Sequence, residues 1–209
     1  QAKSPLDLYF AMARGYQNEG FDVTAMEMTK WFDTNYHYIV PEFKKDQEFK
    51  LFGTKVFDEF AEAKSKGVEA KPVLIGPVSY LLLGKEKGKD AFDRIDLIDK
   101  LLPVYIDTLK KLAAQGATWV QIDEPYLALD LTEKERQGFQ SVYTAIHKQV
   151  PSLKIILANY FDCYGDNLET ALSLPVEVLH LDLIRCSSQL DDILNHSLLS
   201  NQRLSLGVV

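Results

Sequence analysis

The chain reads as an α/β protein built on a parallel sheet. Short apolar or β-branched runs alternate about six times with longer amphipathic stretches. Those runs are nearly continuous in apolar residues, as strands covered by helices are, and helix start and stop signals fall between them. Met26 to Trp31 is the first candidate strand; Val73 to Ile75, Trp119 to Ile122, Ile155 to Ala158, Val178 to Leu183 and Leu204 to Val209 follow. Val56, Phe57, Phe60 and Ala63 recur at helical spacing, with Gly67 as the stop. Leu101, Tyr105, Leu109 and Leu112 do the same before Gly116. Thr132 and Glu135 have the spacing of a capping box, in which hydroxyl and carboxylate each satisfy a first-turn N–H. Asp166 with Glu169 marks one more helix start. A (β/α)8 barrel and a doubly wound sheet share this alternation, and the pattern does not separate them. No GxGxxG or P-loop run follows a candidate strand, which removes the phosphate-binding turn usual in open nucleotide-binding sheets.

At 209 residues and 46% hydrophobic composition, the chain is long enough for a substantial core and is expected to form one domain, 1–209. No apolar run approaches the ~20 residues of a membrane helix. A net charge of -7 argues against a nucleic-acid surface, which would be basic. Lys44, Lys45 and Lys85 to Lys89 read as solvated charges. Cys163 and Cys186 have neither CxxC nor zinc-finger spacing, so each is expected as a separate thiol in a reducing cytoplasm. Gln1 at the start and the apolar run at the end predict a segment of a longer protein, with exposed sheet edges that invite dimerisation.

The most informative stretch is Glu27 to Phe43, EMTKWFDTNYHYIVPEF. Its cation, acid, amide, imidazole and aromatic rings show neither helical nor alternating periodicity, so it reads as a strand running into a ligand-facing loop. This run resembles the amino-terminal barrel of the cobalamin-independent methionine synthases. KPVLIGPVSYLLLGK from Lys71, LLPVYIDTLKKLAAQGATWVQIDEP from Leu101 and LHLDLIR from Leu179 resemble the same domain in the same order. Nearly the whole chain is covered.

The resemblance implies an incomplete (β/α)8 barrel of TIM type with parallel strands, being part of the first barrel of a two-barrel enzyme. It implies a methyltransferase that passes the methyl group of 5-methyltetrahydropteroyltri-L-glutamate directly to L-homocysteine, giving methionine. Zinc would sit in the second barrel on His, Cys, Glu and Cys ligands that nothing in this chain matches, so the chain alone is expected to be inactive. Lys30 matches the family position expected to contact the folate substrate, and Asn35 lies in the same folate-binding stretch. An ammonium with amide donors nearby suits a polyglutamate tail.

Polar residues just after each strand are the further candidates, because barrel sites lie at the carboxyl ends of strands. His37, Asp123 and Glu124 are the lesser rim candidates, beside Gly76, Asn159, Tyr160, Asp182 and Arg185. Adjacent side chains on a strand point to opposite faces, so Asp123 and Glu124 are not expected to act on one atom; one of them also reads as a buried, hydrogen-bonded acid. Two competing readings remain at this stage: a standalone barrel that binds an anionic small molecule, and a hydrolase using Glu42, Asp123 or Glu124 as paired carboxylates.

Overall fold

The computed structural model describes residues 4–18, 20–197 and 202–209. The chain runs α1 (Pro5–Arg14), β1 (Tyr16–Asn18), β2 (Phe21–Val23), β3 (Met28–Lys30), β4 (His37–Ile39), β5 (Glu42–Phe43) and α2 (Lys55–Ser65). It continues with β6 (Val73–Ile75), α3 (Pro77–Leu82), β7 (Lys85–Glu86), α4 (Ile98–Ala114), β8 (Trp119–Asp123) and α5 (Glu133–Gln149). β9 (Lys154–Ala158), α6 (Leu168–Ser173), β10 (Val178–Asp182), α7 (Gln189–Leu194) and β11 (Arg203–Gly207) complete it.

The centre is a five-stranded sheet in the order β11-β10-β9-β8-β6, parallel throughout. Its strands match the five later apolar runs of the sequence to within a residue or two. The first predicted strand does not join them. Met28–Lys30 instead pairs antiparallel with His37–Ile39 as a separate hairpin, since a three-residue strand closed by a local turn needs no long crossover. β6 and β11 are the sheet edges, and no closed barrel forms among the described residues. The final run is an edge strand rather than a buried one, with Leu206 exposed.

One face of the sheet is covered by helices. Val120, Ile122, Ile155, Leu157, Leu179 and Leu181 point into a core shared with Leu109 and Leu112 of α4 and Phe139, Val142, Tyr143 and Ile146 of α5. The alternate positions Gln121, Asp123, His180, Asp182 and Ser205 lie half-buried on the opposite face. The two-residue pleat thus sorts a polar row from an apolar one along the same strands. No described helix is long and apolar enough to cross a membrane.

Local signals set the helix ends. The Glu135 N–H donates to Thr132 Oγ1 and the Thr132 N–H to Glu135 Oε2, at 3.3 and 2.7 Å, which completes the predicted capping box at the start of α5. Gly67 and Gly116 sit at φ 71° and 94° just past α2 and α4, where a side chain would be strained. The helix start predicted at Asp166 and Glu169 is present as a 3₁₀ turn, Gly165–Asn167, leading into α6 with Glu169 in its first turn and no side-chain cap. Lys85 and Lys87, expected only as solvated charges, pair with Glu27 and Glu42 beside the β5–β7 pairing.

Candidate functional site

The stretch singled out in the sequence forms the β3–β4 hairpin and its turn. Pairing sets Met28 opposite Ile39, Thr29 opposite Tyr38 and Lys30 opposite His37. Directly opposed residues share one face of an antiparallel pair, so Lys30 and His37 stand side by side. Both are exposed, as is Asn35 in the turn between them. Thr34 organises that turn: its hydroxyl donates to the Trp31 carbonyl at 2.6 Å and accepts from the Tyr36 N–H at 3.1 Å. The Trp31 N–H closes the loop on the Tyr36 carbonyl at 2.7 Å. Phe32 takes φ 51°, a conformation that bulky residues avoid unless their surroundings enforce it.

Those surroundings are the loops at the carboxyl ends of the sheet strands. Phe32 stacks on Phe161, after β9, with centroids 4.9 Å apart and planes 24° apart, and meets Tyr126, after β8, edge-on at 6.1 Å. Phe161 also lies in the left-handed region, at φ 85°. Arg185, after β10, forms an ion pair with Asp33 and lies 6.0 Å over the Phe161 ring. Trp31 packs edge-on against Tyr38, whose hydroxyl donates to the Leu83 carbonyl at 3.1 Å. The hairpin therefore sits on the rim where ligand sites of parallel α/β sheets are found.

Asp123 is the last residue of β8 and lies on the open face. It accepts from Gln121 Nε2 at 2.7 Å and from the Tyr160 hydroxyl at 3.1 Å. Burial raises its pKa, against the opposing effect of those two hydrogen bonds. Burial likewise lowers the pKa of His180, whose Nδ1 lies 3.0 Å from Ser205 Oγ. Asp182 ties two loops together by accepting the Phe161, Ile184 and Arg185 N–H groups at 3.0 to 3.1 Å.

Glu124, one residue on, points the other way. It is fully buried in the helix-covered core, where it accepts the Ser79 N–H at 2.7 Å and the Tyr143 hydroxyl at 3.1 Å. Burial pushes its pKa up to about 7 despite those donors. A Cβ on Gly76 would fall 1.9 Å from Glu124 Cδ, so the side chain fits only because residue 76 has none. The expectation that the two acids face opposite ways is met, and Glu124 holds the start of α3 rather than opening onto the rim.

The cysteines depart from the sequence reading. Cys163 and Cys186 are not separate thiols; loops 23 residues apart in sequence bring them together as a disulfide with a Cα–Cα distance of 5.3 Å. With Asp162 they form a cluster of metal-ligand type. While the two sulfurs are bonded to each other it does not fit zinc, which takes free thiolates and a further ligand; of the histidines, His180 is engaged with Ser205 and His37 is on the hairpin.

The family profile described as "Cobalamin-independent synthase, N-terminal domain" matches residues 1–209. The chain belongs to that family. It is 65% identical over its whole length to the 5-methyltetrahydropteroyltriglutamate–homocysteine methyltransferase of Flavobacterium johnsoniae, covering 27% of that protein. The enzyme of the same name from Cytophaga hutchinsonii is 60% identical over 98% of the chain, which covers 26% of it. The chain thus spans about a quarter of the length of these relatives. Among solved structures, a B12-independent methionine synthase from Shewanella, described as a complex with selenomethionine, superposes on 82% of the chain and 53% of its own, with a TM-score of 0.57 and 13% identity. That likeness supports the α/β fold.

For a cobalamin-independent synthase domain, the structure brings the hairpin carrying Lys30, Asn35 and His37 onto the same rim as Asp123, through Phe32, Phe161 and Tyr160. Phe161 and Tyr126 were missed as rim residues. Neither carries a sequence signal, because each acts through a ring contact between loops far apart in the chain.

Proposed function

We propose that this chain is the folate-binding, structural part of the amino-terminal (β/α)8 barrel of a cytoplasmic cobalamin-independent methionine synthase. The complete protein would move the methyl group of 5-methyltetrahydropteroyltri-L-glutamate to L-homocysteine. Exposed Lys30 on a hairpin pinned over the carboxyl ends of a parallel sheet is the observation that carries this reading. Its ammonium can meet glutamate-tail carboxylates as a charge-assisted donor, and Asn35 adds an amide donor within the same hairpin. His37, opposite Lys30, and Asp123 at the end of β8 lie on the same rim as secondary contacts. The unpaired edges β6 and β11 are where the remaining strands would close the barrel, or where a second chain would pair.

Zinc and homocysteine belong to the remainder of the protein, zinc on the His, Cys, Glu and Cys ligands that the family resemblance implies there. The chain by itself is inactive in methyl transfer; turnover by the pure 209-residue chain would refute this. In the complete protein, Lys30→Ala should raise KM for the triglutamate substrate by about tenfold, the equivalent of 1.4 kcal/mol, with kcat changed less. A fall in kcat at unchanged KM would exclude Lys30 as a tail anchor.

A further inference from the structure

The disulfide joins the two loops on which the hairpin rests. Phe161, which stacks on Phe32, lies two residues before Cys163 after β9. Arg185, which pairs with Asp33, directly precedes Cys186 after β10. We propose that Cys163 and Cys186 form a reversible thiol–disulfide couple that sets how firmly the rim holds the Trp31–Tyr36 turn, clamped when oxidised and loosened when reduced.

The Cα separation of 5.3 Å lies in the ordinary range for disulfides, so the bond closes without moving the backbone, and three other features favour a couple that cycles over a permanent staple. Reduction leaves the two loops tethered through Asp182, which accepts the Phe161 and Arg185 N–H groups and offers its carbonyl to the Cys186 N–H at 3.1 Å, so the sulfurs stay within reach. Access is unequal as well: Cys163 is half-buried, whereas Cys186 is 5% exposed. Phe161 is held at positive φ between these ties, and such a conformation persists only while its surroundings over-determine it.

The exchange partner is a small-molecule disulfide such as oxidised glutathione. The more accessible Cys163 thiolate attacks one of its sulfurs, expelling a first glutathione thiolate and leaving a mixed disulfide. The Cys186 thiolate then attacks the Cys163 sulfur and expels the second. Two cysteines lose two electrons, the small disulfide gains them, and the two cysteine protons end on the two released thiols. Pairs at an accessible rim are the ones such a pool can poise; fully enclosed disulfides resist it.

Hydrogen–deuterium exchange of the complete protein, equilibrated with excess reduced or excess oxidised glutathione, tests the inference, with peptide-mapped alkylation reporting the two thiols. In oxidised buffer both cysteines should be protected from alkylation. Upon reduction both should become alkylatable, and amides of residues 31–36 and 160–163 should exchange about tenfold faster while those of β8 stay unchanged. Cys163→Ser in oxidised buffer should exchange like the reduced protein. Equal exchange of residues 31–36 in both buffers, or cysteines that stay fully alkylatable in excess oxidised glutathione, would overturn it.

Discussion

Asp123 and Glu124 are neighbours in the chain and opposites in environment, and the two regions they belong to obey different rules. Glu124 faces the helix-covered side, where every donor around it is fixed and its carboxylate has no access to water. Asp123 faces the open side, half-buried under Tyr160 and the rim loops. On the first side a substitution should cost stability. On the second it should cost binding, because the hairpin rests on the rim through a few rings, one exposed ion pair and the Tyr38–Leu83 hydrogen bond, over loops joined by the Cys163–Cys186 disulfide.

The largest effect is expected where the core has no slack. Gly76→Ala places a methyl group inside the Glu124 carboxyl, displacing it from Ser79 and Tyr143 as well as overpacking the site. A loss of at least about 3 kcal/mol in urea denaturation is expected. A loss below about 1 kcal/mol would mean that this side yields as readily as the rim.

Next comes a pH dependence. In the folded protein Glu124 holds its proton up to about pH 7, whereas its ordinary value is 4.5. Between those values the folded state binds the additional proton, so this group's contribution to stability is fully present below about pH 4.5. It is lost progressively as pH rises to about 7, by an amount on the order of 3 kcal/mol. Glu124→Gln should flatten the difference between denaturation midpoints at pH 5 and pH 7.5. An unchanged slope would show that other groups cause it.

The sequence revealed these two regions unequally. Strand Val73–Ile75 and the Thr132–Glu135 capping box were legible because each rests on local pattern or local hydrogen bonding. So was the opposed orientation of Asp123 and Glu124, which follows from the pleat. The hairpin was legible in composition but not in shape: its three-residue strands are too short to show alternation, and its turn depends on Thr34 and on Phe32 at positive φ. The Phe32–Phe161 stack and the Cys163–Cys186 bond join residues 129 and 23 positions apart by sequence number, and no local pattern encodes either.

Smaller effects sharpen the rim side of the comparison. Phe161→Ala removes the stack under Phe32 and should cost about 1 kcal/mol, with faster proteolytic cleavage within residues 31–36 as its distinguishing sign. A variant protected as well as the parent there would show that the stack does not hold the turn. Lys30→Ala should leave stability within about 0.5 kcal/mol, since the residue is exposed. A larger loss would make Lys30 a structural residue.

The most direct test of the rim as a polyglutamate site is a calorimetric titration of the complete protein and its Lys30→Ala variant with 5-methyltetrahydrofolate carrying one or three glutamates. The parent should bind the triglutamate more tightly by about tenfold or more, and the variant should lose most of that preference while its monoglutamate affinity holds. An undiminished preference in the variant would contradict the assignment of Lys30, and with it the central claim that this hairpin reads the folate tail.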